Sequence, residues 1–141
     1  MIADPGVVEV VDPDSGRRMT AWIRSVGADL VVAVGGGDRP HVGCVVLATP
    51  SPGRGGSGFS PSISVLTIPP HKEEPIARAV ATEVCRRHGR VTVVTAGVHE
   101  DGLDSDGIAT YLRLGNELAE AVADHVGHAS AVAHTVECRQ A

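Results

Sequence analysis

Near residue 70 the hydrophobic period of this chain changes, and that change limits what it can fold into. Before it, apolar residues come in β-branched runs or alternate one by one; after it, they mostly recur every three to four positions. Residues 7–11 are a short Val-rich run closed by the turn cluster Asp12-Pro13-Asp14-Ser15-Gly16. Residues 17–26 alternate, with Met19, Ala21 and Ile23 on one side and Arg18, Thr20, Trp22 and Arg24 on the other, as a half-buried strand does. Residues 30–34 are apolar throughout and lead into Gly35-Gly36-Gly37; residues 41–48 and 63–68 read as two more strands, separated by a long loop at 49–61. From 74 to 88, Ile76, Val80 and Val84 mark one helix face, and Gly89 is the stop signal. A Val/Thr strand follows at 91–96, then a helix over 107–126 carrying Ile108, Leu112, Leu118, Val122 and Val126, with Gly127 after it. Residues 128–141 read as a tail or a last strand.

The order β-β-β-β-β-α-β-α implies an α+β fold: one mixed sheet with two helices packed on one face, in a single domain over 1–127. If the strands at 63–68 and 91–96 are parallel neighbours, the crossover between them is right-handed. Ligands of such sheets bind outside the carboxyl ends of the strands. The segments leaving those ends, 69–74 and 97–106, hold most of the noteworthy polar residues.

Composition narrows the function. The formal charge of −5 disfavours non-specific binding to nucleic acid, which needs a basic face. No apolar stretch approaches the length of a membrane span, and the Met1-Ile2-Ala3-Asp4-Pro5 start does not resemble a signal peptide, so a cytoplasmic location is expected. Cys44, Cys85 and Cys138 form no C-x-x-C pair and read as inert thiols. Lys72 is the one lysine; the other cationic side chains, eleven of them, are Arg.

Several motifs have plain explanations. Gly53-Arg54-Gly55-Gly56-Ser57-Gly58 matches G-x-G-x-x-G, but Phe59-Ser60-Pro61 follows and no helix opens there, so a hairpin loop is expected. Gly35-Gly36-Gly37 lacks a P-loop ending and is either a wide turn or a place where a ligand reaches the backbone. Asp104-Ser105-Asp106 is a helix start, because the calcium-loop register would put Gly102 and Arg113 at ligand positions. His88, His125, His128 and His134 lie at helix ends or in the tail. His41, His71 and His99 stand at strand boundaries; imidazole is a common metal ligand, but no local His spacing supports a metal and none is assigned. His71-Lys72-Glu73-Glu74 opens a helix, where backbone N–H groups and Lys72 favour an anion while the two glutamates oppose it.

Taken together, Gly35-Gly36-Gly37, His41-Val42-Gly43, Ser64-Val65-Leu66-Thr67-Ile68-Pro69, His71-Lys72-Glu73 and Ala96-Gly97-Val98-His99 resemble, over about residues 22–123, one family. It is the LpdD-like prenylated flavin chaperone family, the small third subunit beside UbiD-type hydroxyarylic acid decarboxylases such as gallate decarboxylase. The resemblance implies a non-catalytic carrier. It would take prenylated flavin mononucleotide (prenylated FMN), made by a UbiX-type flavin prenyltransferase, and deliver it to the UbiD-type decarboxylase. On that footing Lys72 and the helix start would take the phosphate. Gly35, Gly36 and Gly37 would admit the ring system, and His41, His71 and His99 would hydrogen-bond its polar edge. Glu73 and Gly97 belong to the same motifs. Pro70 and the Glu100-Asp101-Gly102 run depart from the family pattern, and the second departure leaves Asp101 without a carried-over role. Two alternatives stay open: a small enzyme using His71 or His99 as base beside Glu73, Glu100 or Asp101, and a structural subunit of the decarboxylase. With Trp22, Phe59 and Tyr111 as its only aromatic rings besides His, the chain has little to stack on a flavin, and a homodimer is expected.

Overall fold

The computed structural model of the chain describes residues 6–52 and 58–140, with backbone alone over 130–140. Six strands and two helices follow in the order β1 (Gly6–Val11), β2 (Arg18–Val26), β3 (Asp29–Gly37), β4 (Cys44–Pro52), β5 (Phe59–Thr67), α1 (Glu74–His88), β6 (Thr92–His99) and α2 (Ser105–Gln140). The strands make a single sheet in the order β1-β2-β3-β6-β4-β5. Only β3 and β6 run parallel as neighbours; every other adjacent pair is antiparallel. Both helices lie on one face, α1 over β4, β5 and β6 and α2 over β1 and β2, and they also pack on each other. The fold is α+β, as the periods imply.

Alternation decides which side chains meet the helices. On β2 the buried set is Met19, Ala21 and Ile23, and the cross-strand partners Val32 and Val34 on β3 bury the same face. Ile76, Val80 and Val84 on α1 and Leu114, Leu118 and Val122 on α2 close the core from above. Pro75 in its first turn suits a helix start, and Gly89, left-handed at φ 62°, ends it by donating its N–H to the Cys85 carbonyl at 2.9 Å. Asp104 caps α2, its carboxylate accepting from the Gly107 N–H at 2.8 Å. Cys44 and Cys85 are buried and free, and burial raises the pKa of both thiols.

Three expectations are corrected. The strands at 63–68 and 91–96 are not neighbours, because β4 lies between them; β6 takes β3 as its parallel partner instead. The long loop shrinks, since β4 and β5 pair as a hairpin out to Pro52 and Phe59; the Gly-rich run 53–57 lies outside the described residues. Residues 128–140 are neither a strand nor an irregular tail: α2 runs through Gly127 to Gln140. A lone glycine inside a helix costs only about 1 kcal/mol relative to Ala, too little to stop one whose core face is packed up to Val126.

The topology gathers one edge of the sheet. The carboxyl ends of β3, β5 and β6 and the start of β4 all fall on the same side. Segments 35–43, 68–74 and 97–104 therefore meet there.

Candidate functional site

His41, His71 and Glu73 come together at that edge. His41 stands just before β4, where Gly43 donates to the Ala96 carbonyl at 2.9 Å and accepts from the Ile68 N–H at 2.9 Å. Those two bonds tie the entry of β4 to the exits of β5 and β6, and His71 follows in the turn after β5. His41 Nε2 lies 3.1 Å from His71 Nδ1 and 3.1 Å from Glu73 Oε1, while His71 Nδ1 is 3.7 Å from the same oxygen. The rings are tilted by 45° with centroids 4.4 Å apart. His41 Nδ1 faces the Arg39 carbonyl at 3.0 Å; a carbonyl only accepts, so this nitrogen carries the hydrogen.

Glu73 is the cap residue of α1, yet its side chain does not bond back to the helix. It turns inward instead, with 9% of its side chain exposed, and Oε1 accepts from the Val98 N–H at 3.3 Å. Oε2 is buried without a partner. Gly43 makes the room: a Cβ there would sit 2.6 Å from Oε2 and 3.1 Å from the His71 Cβ.

The other expected residues lie at the same edge in different company. Gly35, Gly37 and Gly97 do allow a close backbone approach, and the chain itself makes it. A Cβ on Gly97 would fall 1.7 Å from the His41 carbonyl oxygen; on Gly37, 2.1 Å from that of His99; on Gly35, 2.8 Å from Pro40. Gly36 faces the core, against Met19 and Val98. His99 turns outward, its Nε2 2.8 Å from Asp101 Oδ1 and 2.9 Å from Arg39 Nη2, and Arg39 donates to the same carboxylate oxygen at 2.8 Å. These contacts, the His99 hydrogen bond first, hold the Asp101 carboxyl below its usual range. Lys72 is exposed in the turn between His71 and Glu73.

Beside this cluster opens a cleft of about 280 Å³. Pro70, Ile76, Val98, Leu103, Ile108, Tyr111 and Leu112 form its walls, and His71, Lys72 and Glu73 line its polar side. The periodicity of α2 marks Ile108 and Leu112 as core; they are instead half exposed, facing the cleft. Next to it, Arg17 donates to both oxygens of Glu100 from Nε at 3.2 and 3.0 Å and from Nη2 at 2.9 Å, while the Tyr111 hydroxyl donates to Glu100 Oε2 at 2.6 Å. These bonds hold the Glu100 carboxyl below its usual range; burial and then Glu100 push the Tyr111 phenol up to about 12.

Glu100 thus gives stability that is complete above the unfolded carboxylate value near 4.5 and is lost as pH falls through its lower folded value. Urea melts of wild type and Glu100→Gln should differ most at neutral pH and converge as pH drops below about 4. A gap that stays constant across that range would show that the Glu100 charge does not contribute in this way. Glu100 is among the carboxylates the sequence offers, but its partner Arg17 escapes sequence reasoning because it is 83 residues away along the chain and matches no motif.

No curated protein matches the chain significantly. Among solved structures it resembles a chain of a chaperone complex for yeast 20S proteasome assembly, with a TM-score of 0.52 and 16% identity over 89% of this chain and 98% of that one. At that identity the likeness is one of fold alone. The family described as the prenylated flavin chaperone LpdD-like domain matches residues 14–127, which takes in the whole edge cluster and the cleft. The chain belongs to the LpdD-like prenylated flavin chaperone family.

Proposed function

We propose that this protein holds prenylated FMN at the cleft beside His71 and Lys72 and passes it to a UbiD-type decarboxylase, after a UbiX-type flavin prenyltransferase has made it. The observation that carries this reading is the cleft itself. Its aliphatic walls suit a flat apolar ring system, and its polar mouth offers an imidazole and the chain's one ammonium. At about 280 Å³ it is just below the range of roughly 300–1,000 Å³ typical of small-molecule sites. It fits part of the ring system and leaves the phosphate outside, within the reach of Lys72. The buried Glu73 carboxylate disfavours an anion at the start of α1, so the phosphate role falls to Lys72 more than to the helix dipole. Prenylated FMN supplies its chemistry to the decarboxylase; in this chain the residues only bind and orient it. His41, Gly35, Gly36, Gly37, Gly97 and His99 shape the edge behind the cleft.

A shallow site is compatible with a carrier, which must also release its cargo. The expected result is a mass increment of prenylated FMN on the native protein after co-expression with the prenyltransferase. Lys72→Ala should weaken binding about tenfold, the worth of one charged contact, and Ile108→Asp, which puts a charge in the apolar wall, by at least as much. Titrations of prenylated FMN under anaerobic conditions and in air, followed by activation of apo-decarboxylase, check both claims. A protein that stays apo in both atmospheres would sink the proposal. A His–carboxylate enzyme is the second possibility, because His71 lines the cleft with Glu73 beside it. Recovery of the flavin with unchanged mass and absorption decides against that alternative.

We also infer a homodimer formed through the sheet face that no helix covers. Val7, Trp22, Ala33, Thr95, Val45 and Leu66 form one continuous cross-strand row over all six strands of that face. Val7, Trp22 and Leu66 are 57%, 46% and 74% exposed, more than a lone chain has reason to leave in water.

A further inference from the structure

The geometry points to a divalent-metal site made of His41 Nε2, His71 Nδ1 and a carboxylate oxygen of Glu73. It stands apart from flavin carriage and needs no flavin. Three observations converge on it. The first is spacing: the three atoms are 3.1, 3.1 and 3.7 Å apart. Zinc bonds of about 2.0–2.1 Å in a tetrahedron put neighbouring ligand atoms roughly 3.3 Å apart. With neutral rings, a hydrogen-bonded network accounts for only one of the two 3.1 Å separations, because both run through His41 Nε2.

The second is the direction of the lone pairs. His41 gives its Nδ1 hydrogen to the Arg39 carbonyl, as ligating histidines commonly do through the ring nitrogen that does not bind metal. In the neutral ring Nε2 is then a bare lone pair, and it faces a carboxylate oxygen at 3.1 Å. Neutral rings leave at most one hydrogen to share among His41 Nε2, His71 Nδ1 and Glu73 Oε1. A cation at their centre satisfies all three.

The third is the cost of Glu73. Its side chain is 9% exposed, one oxygen has no partner, and the other has one long backbone bond besides the histidines. A buried carboxylate so poorly paired is unfavourable unless a positive charge joins it. Gly43 is the only residue type that leaves room for it, since any Cβ would collide with Oε2. Among the described residues, these are the His, Cys, Asp and Glu donors that converge closely enough to hold an ion.

Two imidazoles and one carboxylate form the donor set of open zinc sites and of other first-row divalent ions, with further positions left for water or a ligand oxygen. Zinc is the probe. The full chain, stripped with a chelator and dialysed, should take up one equivalent of zinc chloride at neutral pH with no flavin present. His41→Ala and His71→Ala should each weaken uptake about 100-fold, and the near-isosteric Glu73→Gln at least tenfold. His99→Ala should leave it unchanged, because His99 is committed to Asp101 and faces outward. Long-range nitrogen–proton NMR of the wild-type histidine rings provides a check that depends on no variant. Zinc should shift His41 Nε2 and His71 Nδ1 and leave His99 in place. No stoichiometric uptake, shifts confined to other histidines, or uptake unchanged in all three variants would each overturn the site. If a proton on His41 does the cation's work, the first of these is the outcome. Because the titration contains no flavin, its failure leaves the carrier reading intact, and the reverse also holds.

Discussion

Gly97→Ala should destabilise the protein by about 3 kcal/mol or more, in the upper range for overpacking a filled site. The added methyl would lie 1.7 Å from the His41 carbonyl oxygen and 2.3 Å from its carbon, and no side-chain rotation can relieve a collision with backbone. Either β6 or the segment entering β4 has to move. Movement of that segment breaks the Gly43 N–H bond to Ala96, loosens the start of the β4–β6 ladder and carries His41 away from His71 and Glu73. Zinc uptake, which depends on His41, should fall with stability. Gly102→Ala is the control. Gly102 has φ +69° with nothing within 4 Å, so its substitution costs only backbone strain, about 1–2 kcal/mol. Urea denaturation of both variants separates the two effects. A Gly97→Ala midpoint equal to that of wild type would mean that the edge is not packed as described.

How much of this edge is legible in the sequence depends on the range of the interactions. The alternation of Met19, Ala21 and Ile23 identifies β2 and its buried face, and the spacing of Ile76, Val80 and Val84 does the same for α1; both signals are local. Strand order is not local. Residues 44–48 and 92–96 are rich in Val and show no apolar–polar alternation, so their composition does not say that β6 inserts between β3 and β4. The site divides in the same way. That the exits of β5 and β6 carry the polar residues follows from the general rule for strand ends. That His41 and His71 touch while His99 leaves for Asp101 follows from pairing across thirty or more residues and from which way each turn faces. Glu73 reads as an ordinary dipole-complementing residue, and the structure instead turns it inward. The signal for that is Gly43: a glycine inside a Val-rich strand entry marks a close approach, here by a carboxylate.

Trp22→Glu should convert a dimer to a monomer. In the row from Val7 to Leu66, Trp22 is the largest side chain, set between Val7 and Ala33. Six strands at about 4.8 Å spacing make a face roughly 24 Å wide, the scale on which two sheets pack at about 10 Å separation. The next row repeats the pattern at its centre with Val31, Val93 and Leu47. Neither row carries an acidic residue; Arg24 stands opposite Val31 and the Glu9–Arg18 pair lies farther along the same face, while the helical face is denser in ion pairs such as Arg87–Asp124 and Arg113–Glu117. Stacking two copies through the sheet therefore buries an apolar centre with fewer charges than stacking through the helices would. A glutamate at position 22 would enter that interface once per copy, between the apolar Val7 and Ala33. At a few kcal/mol for each unpaired carboxylate, the dissociation constant should rise at least about 100-fold. Arg78→Glu on α1, away from the sheet face, should leave association unchanged. Sedimentation equilibrium of the three proteins reads this directly. A wild-type monomer at tens of micromolar, or a Trp22→Glu variant that dimerises as tightly as wild type, would place the partner surface elsewhere.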